Sequence, residues 1–139
     1  MQDSIILKAP AKINLFLNVV EKRSDGYHNI RSGITFVNLF DEIKIQRANS
    51  TTINYYGDFK PLKPYNDCII NKTLKILDLN KKINLKVDIK KNIPVQAGLG
   101  SASTNAAFFI KGLKKMKIIK SIQDYKFYSK IGADVPVFL

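Results

Sequence analysis

Residues 93–103 read IPVQAGLGSAS, a run of mostly small residues with glycines at 98 and 100, and they join two segments of different period. Before them INLKVDI (83–89) alternates apolar and polar positions, the signature of a half-buried strand. After them STNAAFFIKGLKKM places Ala106, Phe109, Ile110 and Leu113 on one face of a helix. A glycine-bearing strand–loop–helix junction limits the fold more than any other feature here, because it requires a sheet with a helix packed against it. Gly98 and Gly100 can take φ > 0, so several amide N–H groups can converge on one anion, and the positive end of the helix adds to the attraction. A phosphate site is one reading; a turn that needs glycine for geometry alone is the other. No Lys follows the second glycine, so the stretch is not a Walker loop and a catalytic cation must come from another segment.

Elsewhere the chain alternates short elements. KINLFLNVV (12–20) sets Ile13, Leu15, Leu17 and Val19 on one face of a half-buried strand, with Lys12, Asn14, Phe16 and Asn18 on the other. Lys12 and Asn14 therefore point the same way. Asp25-Gly26 marks a turn, strands are expected over 34–39 and 42–47, and a weaker one over 52–57. Pro61 and Pro64 mark a loop, after which Ile69, Ile70, Thr73, Leu74 and Leu77 fall at helical spacing with Asn66 or Asp67 as the N-cap. SIQDYKFYSKIG (121–132) reads as a last helix, opened by Ser121 and Asp124 as a capping box and stopped by Gly132. Asp134 follows at the edge of an apolar run, where burial is costly without a partner; Lys12 is the candidate. A merely capping or salt-bridged Asp134 is the competing reading.

Composition excludes more than it assigns. The 139 residues, 45% of them hydrophobic, fit one domain. One cysteine, Cys68, and one histidine, His28, leave no internal disulfide and no Cys/His metal cluster. Residues 1–20 do not have the pattern of a secretory signal, and no apolar run approaches the ~18 residues of a membrane span, so the expectation is a cytoplasmic protein without a membrane partner. The net charge of +12 invites a nucleic-acid reading, but 20 of the 23 basic residues are lysines scattered along the chain. A solvated Lys-rich surface is the simpler account. In KGLKKMKIIK (111–120) the lysines interleave with Leu113, Met116 and Ile119 at helical spacing, an amphipathic core helix.

Four motifs, PAKINLFLNV, DGYH, PVQAGLGSASTNAA and GADVPVFL, together resemble the GHMP kinases over about residues 5–139. Asn14 and the Tyr27-His28 pair favour the branch whose small-molecule substrate is a cytidine diphosphate methylerythritol. The resemblance implies an α+β fold with a mixed sheet, helices on one side and a left-handed βαβ crossover. It makes residues 1–139 an amino-terminal ATP-binding domain, with a carboxyl-terminal domain absent from this chain and little turnover expected from the isolated half. The implied activity is ATP-dependent phosphorylation of the substrate's 2-hydroxyl, in non-mevalonate isoprenoid precursor synthesis, with ATP and Mg2+ as cofactors. Asp134 would take the hydroxyl proton, while Lys12 would keep that carboxylate ionised and offset charge on the phosphoryl group. Tyr27 and His28 would bind the cytosine by stacking and hydrogen bonds, and Asn14 would belong to the substrate pocket. Pro94, Val95, Gln96, Ala97, Gly98, Leu99, Gly100, Ser101, Ala102, Ser103 and Thr104 would form the ATP-phosphate loop, one hydroxyl assisting with Mg2+. Gln96, Ala97 and Ala102 stand at usual glycine positions of that loop. Cys68 stands where many relatives place an Asn near the adenine, with Asn66 as a substitute, and Lys91 falls near the nucleotide. A nucleotide-binding remnant without turnover and a basic nucleic-acid module are the alternatives.

Overall fold

The computed structural model describes residues 3–62, 68–120 and 124–139. Strands β1 (Ser4–Lys22), β2 (His28–Arg47), β3 (Thr52–Tyr56) and β4 (Leu85–Lys90) form one sheet in the order β1-β2-β4-β3. β2 runs antiparallel to both β1 and β4, and β3 runs parallel to β4, which makes the sheet mixed. Helix α1 (Ile69–Ile76) lies in the crossover between the parallel strands, α2 (Ser101–Lys115) follows β4, and α3 (Tyr125–Ser129) precedes a closing 3-10 turn, Val135–Phe138. The α+β class expected from the sequence is the one observed. Among the described residues no helix is long and apolar enough to cross a membrane.

Alternation in the strands decides which face is covered. Leu7, Ala9, Ile43, Ile45, Leu85, Val87 and Ile89 are buried in one cluster with Ile70 and Leu74 of α1 and Phe109 and Leu113 of α2. On its other side α2 gives Ala106, Ala107 and Ile110 to a second cluster with Tyr128, Ile131, Val135 and Phe138. The helix is thus enclosed on two sides, and Ala106, Phe109, Ile110 and Leu113 are all fully buried as their spacing predicts. Gly112 marks the closest approach to the sheet: a Cβ there would stand 2.4 Å from Ile45 Cδ1 and 2.7 Å from Leu7 Cδ1. The lysines of the same helix lie over aromatic rings, Lys111 Nζ 4.6 Å from the centre of Phe108 and Lys114 Nζ 5.9 Å from that of Tyr128.

Several local expectations are corrected. The two strands expected over 34–39 and 42–47 are one, β2, because the ladder absorbs an irregularity: Pro10 pairs with Phe40 and Ala11 with Val37, leaving Asn38 and Leu39 as a bulge. The segment from Ile13 to Val20 is not half-buried. Ile13, Leu15, Leu17 and Val19 are 40% to 68% exposed, because the hairpin of β1 and β2 runs out beyond the helices that cover positions 7, 9 and 11. The N-cap of α1 is Cys68, whose Sγ accepts the Asn71 N–H at 3.4 Å; Asn66 and Asp67, like Pro64 and Ser121, lie outside the described residues. α3 is capped by Asp124 itself, which accepts the Lys126 N–H at 2.9 Å, and it ends at Ser129 before Gly132.

Phe109→Ala should cost about 3–5 kcal/mol of stability, whereas Leu17→Ala on the uncovered ribbon should stay within about 0.5 kcal/mol. Urea unfolding of the two variants checks this, and comparable losses would mean that the ribbon is packed after all.

Candidate functional site

Lys12 stands where β1 leaves the core, after fully buried Ala11 and before exposed Ile13. Its ammonium lies 2.8 Å from Asp134 Oδ2 and donates to Asn14 Oδ1 at 3.2 Å, so the alternation placed Lys12 and Asn14 correctly on one face. Asn14 Oδ1 also accepts from the Ser32 hydroxyl at 3.3 Å. The Lys12 side chain is only 8% exposed and that of Asp134 44%, so the cation is withdrawn from water while the carboxylate keeps one open side. Buried Val135 and Phe138 hold the turn that carries Asp134, and the Phe138 ring centre is 5.5 Å from that of Phe36 on β2.

The glycine loop meets this pair directly. Lys12 N–H donates to Leu99 O at 3.0 Å, tying the loop to β1 beside the ammonium. Gln96, Gly98 and Gly100 take φ values of 59°, 72° and 69°. Ala97 and Ala102 do not enter that left-handed region, so they replace glycine without strain; Gln96 does enter it, at a cost of about 1–2 kcal/mol. Gly98 and Gly100 are glycines for different reasons. A Cβ at Gly98 would meet nothing within 4 Å, leaving its backbone open to a ligand, whereas one at Gly100 would come within 2.9 Å of Lys12 Cγ and 3.1 Å of Phe138 Cζ. Gly100 is also the N-cap of α2 and supplies no side-chain cap, so the first turn of a 15-residue helix presents its N–H groups and positive end toward the loop.

Beside the loop lies a cavity of about 610 Å³, lined by residues 94–103 together with Tyr55, Pro61, Cys68, Ile69, Lys91 and Asn105. Thr104, counted with the loop from sequence, does not line it; the residue is fully buried and its hydroxyl has no partner among the described residues. Asn105 was missed. It is 2% exposed, its Oδ1 also has no partner among the described residues, and it lines the cavity. The available signal was a polar residue directly before the apolar face of α2. Asp41 was missed as well. Its fully buried carboxylate accepts the N–H groups of Asn92 at 2.8 Å and Ile93 at 2.9 Å, the Ser101 hydroxyl at 3.2 Å, and the Lys91 ammonium. Burial pushes the Lys91 ammonium below the usual lysine range, opposed by its hydrogen bond to Asp41 and by the Asp41 charge.

Tyr27 and His28 are not brought to the pair. Tyr27 sits at the hairpin turn, 70% exposed, its carbonyl accepting the Arg23 N–H at 2.7 Å. His28 is eight positions along β2 from Phe36, the residue opposite Lys12. At ~3.3 Å per residue that is about 26 Å of strand. Lys12, Asn14, Asp134 and the loop form one constellation; the two aromatic residues stand apart from it.

The family model described as "GHMP kinases N terminal domain" matches residues 68–139. A 4-diphosphocytidyl-2-C-methyl-D-erythritol kinase of Fervidobacterium nodosum is 40% identical over 139 residues, covering 97% of this chain and 48% of the relative. One from Prochlorococcus marinus is 36% identical, covering 100% and 47%. The chain spans about half the length of the curated relatives it matches. A crystal structure of a 4-(cytidine 5'-diphospho)-2C-methyl-D-erythritol kinase is similar with a TM-score of 0.72 at 25% identity, over 96% of this chain and 48% of the other. Homoserine kinase from Cytophaga hutchinsonii shares the fold, with a TM-score of 0.63 at 16% identity, over 99% and 43%.

Gly100→Ala places a methyl group against Lys12 and Phe138 at a left-handed φ. It should lower stability by about 1–3 kcal/mol and weaken nucleotide binding at least tenfold by displacing the loop. A thermal melt with calorimetric titration of ATP checks this; wild-type affinity would make the contact incidental.

Proposed function

The chain belongs to the GHMP kinases, and from that membership we propose that it is the amino-terminal part of a kinase transferring phosphate from ATP to the 2-hydroxyl of 4-diphosphocytidyl-2-C-methyl-D-erythritol, a step of non-mevalonate isoprenoid precursor synthesis. One observation carries the reading: the Lys12–Asp134 pair, 2.8 Å apart, adjoins the loop at the uncapped end of α2. ATP, with Mg2+, supplies an electrophilic phosphoryl group when bound. The residues present fit it, since the open backbone at Gly98 and the first turn of α2 suit phosphate oxygens. Among the described residues no group of three His, Cys, Asp or Glu converges, and the Ser103 hydroxyl, in the lining of the cavity, is the loop side chain on hand to assist Mg2+.

Each of the chain's residues then has a task. The exposed side of Asp134 receives the substrate hydroxyl and takes its proton, help typically worth ~10²–10⁴ in rate. Lys12 orients that carboxylate and offsets charge on the phosphoryl group in transfer. Asn14, fixed by Lys12 and Ser32, offers the substrate a polar contact on the same face. Asn105 Oδ1, without a partner among the described residues, is available to accept from an exocyclic amine in the cavity, whose lining also includes Tyr55, Cys68 and Ile69. Tyr27 and His28, at the hairpin tip, hold the cytosine.

Asp134→Asn in the full chain should leave ATP and substrate affinity within a few-fold and lower kcat ~10²-fold or more, because the shape is kept and the base is lost. Steady-state kinetics decide it, and turnover near wild type would take Asp134 out of the mechanism. Tyr27→Ala should raise KM for the cytidyl substrate at least several-fold with KM for ATP nearly unchanged, since stacking is binding remote from the reacting atoms. Equal effects on both substrates would count against a cytosine platform at the hairpin tip.

A further inference from the structure

We infer that Asp41 is a positioning residue for the phosphate loop, one carboxylate holding both ends of the loop. The inference rests on the ATP reading above for its consequence, though not for its geometry. Oδ1 accepts two backbone N–H groups where the chain leaves β4, those of Asn92 and Ile93. Oδ2 accepts the hydroxyl of Ser101, the first residue of α2, where the loop ends. Lys91 donates to both Asp41 and Ser101 and closes the triangle. Asp41 is fully buried and Lys91 2% exposed, so water does not compete for these bonds. The loop between the two ends carries three left-handed residues, which locally favour other conformations. Fixing entry and exit to a single side chain removes most of those alternatives before any ligand arrives. Asp41 lines none of the cavity and would touch neither nucleotide nor substrate; it acts through the loop.

The test uses the full chain with Asp41→Asn and the double variant Asp41→Asn/Lys91→Met. In the single variant the amide must turn its NH2 group either toward the Lys91 ammonium or toward the Asn92 and Ile93 N–H groups, so one end of the clamp is lost. In the double variant the ammonium is gone, and the amide can accept from the Asn92 and Ile93 N–H groups while donating to Ser101. Dissociation constants for ATP and adenosine are read by calorimetry, and hydrogen exchange is followed at the amides of 95–104. Asp41→Asn is expected to weaken ATP at least ~10-fold, leave adenosine within about 2-fold and speed exchange across the loop; in the double variant loop exchange is expected to return to within about 3-fold of wild type. Unchanged ATP affinity and loop exchange in folded Asp41→Asn would overturn the assignment, as would equal losses for ATP and adenosine. A double variant whose loop exchanges as fast as that of the single one would also overturn it, giving the contact to Lys91; if Asp41→Asn does not fold, loop exchange in the double variant well above that of wild type overturns it. Failure of the wild-type chain to bind ATP would refute the proposed function alone, since loop exchange still judges the clamp.

Discussion

A carboxylate sealed from water is costly to hold, and the sheet tolerates that of Asp41 because four donors converge on it. The arrangement begins where backbone pairing stops. The ladder between β2 and β4 ends with Glu42 opposite Lys90, and at the next step the side chains of Asp41 and Lys91 take over from the main chain. From that point the chain enters the glycine loop, returns to β1 through the bond between Leu99 O and Lys12 N–H, and starts α2. The position of the Lys12 ammonium relative to the helix end therefore depends on a buried ion pair whose carboxylate, that of Asp41, does not line the cleft.

Two kinds of rigidity meet at this place. The sheet and α2 are fixed by apolar burial, whose strength follows area and is indifferent to direction. The loop has almost no such burial and is fixed by directed bonds and by steric contact at Gly100, where the Lys12 stem and the Phe138 ring lie against the backbone. That division suits a binding loop: the open positions are held at their ends and left bare in the middle, so little ordering remains to be done when a ligand enters.

Local periodicity carried the elements that bury one face, and the glycines with their flanking strand and helix carried the loop. Lys12 with Asp134 was legible because an Asp in an apolar run requires a partner, and the two stand in motifs whose resemblance to the GHMP kinases pairs them. Asp41 was not legible. In NLFDEIKI an acidic residue reads as a strand break or a solvent-facing position, and its partners lie some fifty residues on, so no local pattern announces burial. The ribbon from Ile13 to Val20 failed for the opposite reason: alternation reports that a strand has an apolar face and is silent about whether anything covers it. The cap at Cys68 was overlooked because a thiol is a weak acceptor beside Asn and Asp, and backbone geometry decided the matter.

The union of Lys12 with Asp134 joins β1 to the turn that follows α3. On a ribosome the lysine emerges early and cannot meet this carboxylate until Asp134 has been made, on the order of ten seconds later at ordinary synthesis rates. Gly100 is packed in the same way, by two residues far apart in the sequence, Lys12 and Phe138. All four strands of the sheet and the 15-residue α2 are therefore made before the Lys12–Asp134 pair can close.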